Sequence, residues 1–110
     1  MKAELIESSF DFSIRLIELI KYLDNEGREF PLSQRLLNCG NGVGVNLRMA
    51  EISGTKSRPS ATENSLACAV ECGYLLKLMA KTGYLSELQS MPLRDTCNQL
   101  INLIIEAKKQ

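Results

Sequence analysis

The sequence predicts an all-α fold, an antiparallel up-down four-helix bundle, and two observations carry that prediction. Apolar residues recur at three- and four-residue spacing through four long segments, and no useful stretch alternates apolar and polar residues as a strand would. Short clusters of glycine, proline and polar residues part the segments, and short connections between long helices favour antiparallel neighbours. Composition agrees: the chain is 45% hydrophobic and 24% charged, with three Phe, three Tyr and no Trp. Aliphatic side chains must then fill the core, which suits helix-on-helix packing. Residues 1–110 are enough for one domain with a modest core.

The first helix is expected over Glu4 to Asn25. Asp11, Arg15, Glu18 and Tyr22 fall in one narrow polar sector, whereas Phe10, Phe12, Ile14, Ile17 and their apolar neighbours spread over most of the remainder. One stripe is enough to pack inside a bundle. The excess points to a second covered surface, and hence to contacts between subunits. Gly27 suits the left-handed position after the helix end.

The second helix is expected from a Ser33 cap to about Glu51, with Leu36, Gly40, Val43, Leu47 and Ala50 as its stripe. Gly40, Gly42 and Gly44 each cost about 1 kcal/mol relative to Ala in a helix interior, so something must offset them. Gly40 and Gly44 lie four apart on one face and are assigned to close helix packing, where Gly44→Leu is expected to overpack. Asn46, in an otherwise apolar run, is expected to make an interhelical hydrogen bond that sets register.

The third helix is expected to begin at Ser60, with a Ser60–Glu63 capping box, and to end at Gly83. Its stripe reads Leu66, Val70, Gly73, Leu76 and Ala80, with Cys68, Cys72, Leu75 and Met79 alongside. The fourth starts either at Glu87, capped by Ser86 and Gln89, or at Met91, since Pro92 belongs in a first turn. It buries Leu93, Cys97, Leu100, Ile101, Ile104 and Ile105, and Lys108 and Lys109 suit its C-terminal dipole.

Little in this chain points to chemistry. Thirteen basic and thirteen acidic residues cancel and there is no His, which argues against a duplex-binding protein and against a His-based triad. Cys39-Gly40-Asn41-Gly42-Val43-Gly44 lacks the preceding strand and following Lys-Ser or Lys-Thr of a phosphate loop. Glu63 and Glu71 lack surroundings that would raise a carboxyl pKa. Cys39, Cys68, Cys72 and Cys97 sit among apolar neighbours and read as buried, reduced thiols. A four-thiolate site is the sharper alternative, but structural zinc favours short Cys-x-x-Cys knuckles in loops, so no metal or other cofactor is expected. Met1-Lys2-Ala3-Glu4 leads straight into an amphipathic stretch and no run reaches membrane-span length, which predicts a cytoplasmic, non-enzymatic protein. Arg35, Arg48, Lys56 and Arg58 are the best candidates for a basic patch toward RNA, DNA or a protein partner.

From Phe10 to Ile104 the chain resembles a family of small bacterial four-helix proteins, first noticed as reading frames in intervening sequences of 23S ribosomal RNA genes. The resemblance lies in Phe10-Asp11-Phe12, in Leu32-Ser33-Gln34-Arg35-Leu36-Leu37, and in Gly40, Val43-Gly44-Val45-Asn46-Leu47-Arg48 and Ala50. Glu71, Tyr74, Leu76, Leu78 and Gly83-Tyr84-Leu85 continue it. The chain departs from the family at Met49, where Glu is usual, at Asn38 and Cys39, where Arg and Ser are common, and at Arg58-Pro59-Ser60, which replaces a more acidic and aromatic helix start. The resemblance implies a bundle assembled as a ring-like homo-oligomer, a pentamer in such proteins, acting as an interaction or scaffold component. It also implies an alternative. Some relatives are strongly basic accessory proteins of diversity-generating retroelements, which bind nucleic acid and a reverse transcriptase; the zero net charge here fits that role poorly.

Overall fold

The computed structural model describes residues 2–109. Among them are four helices and no strand: α1 (Ala3–Asn25), α2 (Ser33–Ile52), α3 (Arg58–Lys81) and α4 (Glu87–Lys108). Helices α1 and α3 end alike. Gly27 (φ 69°) and Gly83 (φ 89°) turn the chain into the left-handed region that glycine enters without strain. The amides beyond each helix then fold back as a Schellman pair: Arg28 onto Leu23 and Gly27 onto Asp24 for α1, Tyr84 onto Met79 and Gly83 onto Ala80 for α3. The α4 start is equally local, since Ser86 Oγ accepts the Gln89 amide while the Gln89 side chain accepts the Ser86 amide.

Two expected helix starts are corrected. Ser33 does not cap α2; its hydroxyl donates back to the Phe30 carbonyl at 2.7 Å, and Leu32 holds the cap position without a side-chain bond. The Ser60–Glu63 capping box does not form, because α3 starts at Arg58 and already contains both residues. Proline needs no amide partner in a first turn, so the helix runs back through Pro59. Helix α4 starts at Glu87, one of the two starts expected, and this leaves Pro92 inside the helix, beyond its first turn. The carbonyl that Pro92 leaves without a donor belongs to Leu88, which is 87% exposed, so water can take it.

Facing residues give the helix directions. Ser13 lies against Gly40 and Ser9 against Gly44; Arg35 meets Glu71, and Ser65 meets Val43; Glu63 pairs with Lys108, and Lys81 with Glu87; Arg15 meets Thr96. In each pair of helices for which two contacts are given, one number rises as the other falls. Neighbours are therefore antiparallel, and α1 closes against α4. The chain packs as an up-down bundle with extents of 45 × 19 × 19 Å. The α2–α3 contact is the most extensive and α1–α4 the least.

The core follows the stripes with two revisions. Leu36, Gly40, Val43, Leu47 and Ala50 are all buried, as the α2 spacing requires. On α3 the buried seam is Thr62, Ser65, Ala69, Cys72, Leu76 and Met79, whereas Val70 is 54% exposed. The seam keeps the three-four spacing of a bundle, but small polar and near-neutral residues fill its first half, and the greasier Val70 drew the sequence reading a notch aside. On α4, Ser90 is buried and Ile105 faces out.

Small side chains bind helix to helix through the backbone. The Ser13 hydroxyl donates to the Gly40 carbonyl (3.3 Å), the Ser65 hydroxyl to that of Val43 (2.9 Å), and the Cys97 thiol to that of Ala69 (3.2 Å). Asn46 is different from expectation. Its amide donates to the Gly42 carbonyl of its own helix at 2.8 Å, so it makes a local bond one turn back rather than an interhelical one.

The glycines divide as well. A Cβ on Gly40 would stand 2.4 Å from Leu16 Cδ1, and one on Gly42 would stand 2.6 Å from Cys68 Sγ. One on Gly44 would meet Ser9 Oγ at an ordinary 3.5 Å. Gly40 therefore seats α1 closely, and Gly44 is not at a tight crossing, contrary to the sequence reading. Gly40→Ala is expected to lower stability by about 1–3 kcal/mol, because buried Leu16 must give way. Gly44→Ala should leave stability unchanged or raise it by up to about 1 kcal/mol through helix propensity. Chemical denaturation of the two variants checks the contrast.

Candidate interaction surface

The apolar surplus of α1 ends up in one place. Ile6, Phe10, Ile14 and Ile17, spaced along one side of α1, face Val45 and Met49 of α2 across an open groove of about 600 Å³. Its floor is Ser9, Ser13 and Gly44, small enough to leave depth between the two walls. Phe10 is 66% exposed and Val45 60%, and Ile14, Ile17, Met49 and nearby Ile52 are exposed too. Scattered apolar residues on a surface need no explanation; a contiguous groove of them marks a contact site. Helical geometry produces this groove. Phe12, Leu16, Ile20 and Leu23 point α1 into the core, so residues on its α2-ward flank cannot also be buried within one bundle.

The four basic candidates are not gathered there. Arg35 Nε donates to Glu71 Oε2 at 2.7 Å, an exposed pair bridging α2 and α3. Arg48 sits on the rim of the groove and pairs with Glu51 one turn ahead. Lys56 is exposed in the connection between α2 and α3. Arg58 Nε donates to the Ala50 carbonyl at 3.2 Å, tying the start of α3 to the end of α2. Arg35 and Arg48 are thirteen positions apart on one rod, about 20 Å along its axis. Two of the four cations are thus matched by carboxylates, and the set forms no single patch.

Sequence reasoning found the α1 wall of this surface but missed the α2 wall. Val45 and Met49 appear in the sequence as members of an apolar run, and only the packing of Gly40 and Val43 inward turns them outward. It also missed that Cys39 pairs with Cys72 across α2 and α3, their sulfurs 3.1 Å apart. All four cysteines are free; Cys39, Cys72 and Cys97 are buried and Cys68 half-buried. Burial pushes the Cys97 thiol up to about 11. Among the described residues no three His, Cys, Asp or Glu side chains are arranged to hold a metal ion, and no helix is long and apolar enough to cross a membrane.

The Arg35–Glu71 pair has a testable signature. The hydrogen bond from Arg35, then its charge, hold the Glu71 carboxyl below the usual carboxylate range. A depressed folded pKa contributes stability above the unfolded carboxyl pKa, and that contribution is lost as pH falls through the folded value. The pair is exposed, so the effect is small and salt-sensitive. Arg35→Ala should move the Glu71 titration upward in an NMR pH series, with the fold unchanged.

No protein-family model matches the chain, and no curated protein matches it. Among solved structures it is similar to the crystal structure of a protein of unknown function from the S23 ribosomal protein family of Bacteroides thetaiotaomicron. The two share 28% sequence identity at a TM-score of 0.90, over 96% of this chain and 99% of the other. The four-helix fold described above is therefore held in common, along nearly the whole of both chains, with a member of the S23 ribosomal protein family.

Proposed function

We propose that this chain is a non-enzymatic, cytoplasmic interaction protein that assembles with copies of itself, the α1–α2 groove of one copy receiving an exposed helix ridge of the next. The observation that carries this reading is the groove itself, a continuous apolar wall on both helices with Phe10 at its lip. Met49 strengthens it: where the resembled intervening-sequence proteins usually carry Glu, this chain places an apolar side chain on the α2 wall. Val70 and Tyr74, the exposed large apolar residues of α3, lie one turn apart and supply a ridge distinct from the groove. A contact between two different faces, repeated in one sense, closes into a ring when the rotation between copies divides the circle, and the resemblance to the intervening-sequence proteins favours a pentamer. An oligomer of this kind serves as a scaffold, presenting the same surface several times. The nucleic-acid alternative gains no support from the basic residues, which are dispersed and partly neutralised.

Native mass spectrometry and light scattering test the assembly. The unaltered protein should be oligomeric, and Phe10→Glu with Val45→Glu should yield a monomer of unchanged helical spectrum. Removing the Phe10 side chain, which the proposed contact would bury, as Phe10→Ala, should cost about 2 kcal/mol per interface, roughly thirtyfold in dissociation constant. A monomeric unaltered protein at micromolar concentration defeats the reading.

A further inference from the structure

We propose that Cys39 and Cys72 are an oxidisable dithiol that closes into a disulfide and locks α2 to α3. Their sulfurs, on different helices and thirty-three residues apart in sequence, are in contact at 3.1 Å. Bond formation needs an approach of about 1 Å, to the ~2.05 Å of a disulfide. The surroundings permit it. Gly40 follows Cys39 and Gly73 follows Cys72, and no bulky side chain separates the two sulfurs.

The other thiols are committed elsewhere. Cys97 donates to the Ala69 carbonyl and lies beside Gly73, and Cys68 lies against Gly42. Neither competes for the pair.

The two cysteines are not equivalent. Cys72 is fully enclosed, whereas Cys39 is 6% exposed and lies one turn along α2 from Arg35, under the Arg35–Glu71 ion pair. The Cys72 thiol bonds to the Cys39 sulfur and holds it below the usual thiol range, while the same bond and burial push Cys72 up. Position and acidity thus assign Cys39 as the attacking group and Cys72 as the resolving one.

With a peroxide as oxidant, the Cys39 thiolate attacks one peroxide oxygen and the O–O bond breaks. The departing hydroxide takes a proton as water, leaving Cys39 as a sulfenic acid. The Cys72 sulfur then attacks the Cys39 sulfur; the S–S bond forms and the sulfenic hydroxyl leaves with the thiol proton as a second water. Two thiols lose two electrons and two protons in all, and hydrogen peroxide is reduced to two waters. The product staples the most extensive helix pair of the bundle.

Hydrogen peroxide titration of the folded, full-length protein tests this. The expected result is loss of two free thiols, a mass decrease of about 2 Da, and a linked peptide pair containing Cys39 and Cys72. The oxidised protein should melt about 10 °C higher, and a reductant should reverse the change. Cys39→Ala and Cys72→Ala should each abolish the intramolecular bond, and Cys68→Ala should keep it. Peptide mapping of the unaltered protein decides the matter even where a variant fails to fold. Retention of all four thiols, a bond through Cys68 or Cys97, or a bond between chains overturns the proposal.

Discussion

The close seating of α2 between α1 and α3 is the constraint on which the rest of this molecule depends. Gly40 brings Leu16 of α1 to where a Cβ would stand, and Gly42 does the same for Cys68 of α3. Side-chain donors then reach the α2 backbone from both sides, Ser13 onto Gly40 and Ser65 onto Val43. Helix propensity lost at the glycines is recovered as close packing and as hydrogen bonds made where a larger residue would hold the rods apart. The contact of Cys39 with Cys72 belongs to the same arrangement. A thiol is short, and two can meet only where backbones lie near each other.

The seating also has a consequence at the surface. With Gly40 and Val43 turned inward, Val45 and Met49 are turned out, and Gly44 forms a shallow floor rather than a crossing. The α1 residues opposite are apolar too. The groove is therefore a by-product of how the core is filled, made useful by the choice of Phe, Ile, Val and Met at positions where solvent alone would favour charge. Its depth comes from Ser9 and Ser13, small residues that serve the interior and the surface at once. The ion pairs across the bundle, by contrast, are exposed and contribute little.

One end of the bundle shows a second device. The two Schellman turns bring Gly27 and Gly83 to the same end, where Arg28 donates to the Gly83 and Tyr84 carbonyls, each at 2.8 Å. Phe30 packs edge-on to Tyr84, with ring centroids 5.2 Å apart. The α1–α2 connection is thereby fastened to the α3–α4 turn, although the two are over fifty residues apart in sequence. Gly83 and Tyr84 thus end α3 through their amides, which fold back onto Ala80 and Met79, and hold the end of the bundle together through their carbonyls.

Much of this was legible in the residues. Four helices, the stops at Gly27 and Gly83, the Ser86–Gln89 box and the whole α2 stripe follow from spacing and local hydrogen bonding, which act within a turn or two of the chain. The surplus apolar surface of α1 was legible for the same reason. Other features were decided only by tertiary structure. The α3 seam passes through Thr62, Ser65 and Ala69, whose hydropathy does not announce burial, because they gain their places from partners on other helices. Asn46 bonds locally because the Gly42 carbonyl stands one turn back on its own helix, within reach of its amide. Cys39 meets Cys72 rather than another thiol because antiparallel register, set by residues across the whole length of both rods, brings those two positions level. Local chemistry writes the helices; only their mutual packing determines which of their faces, and which of their sulfurs, come together.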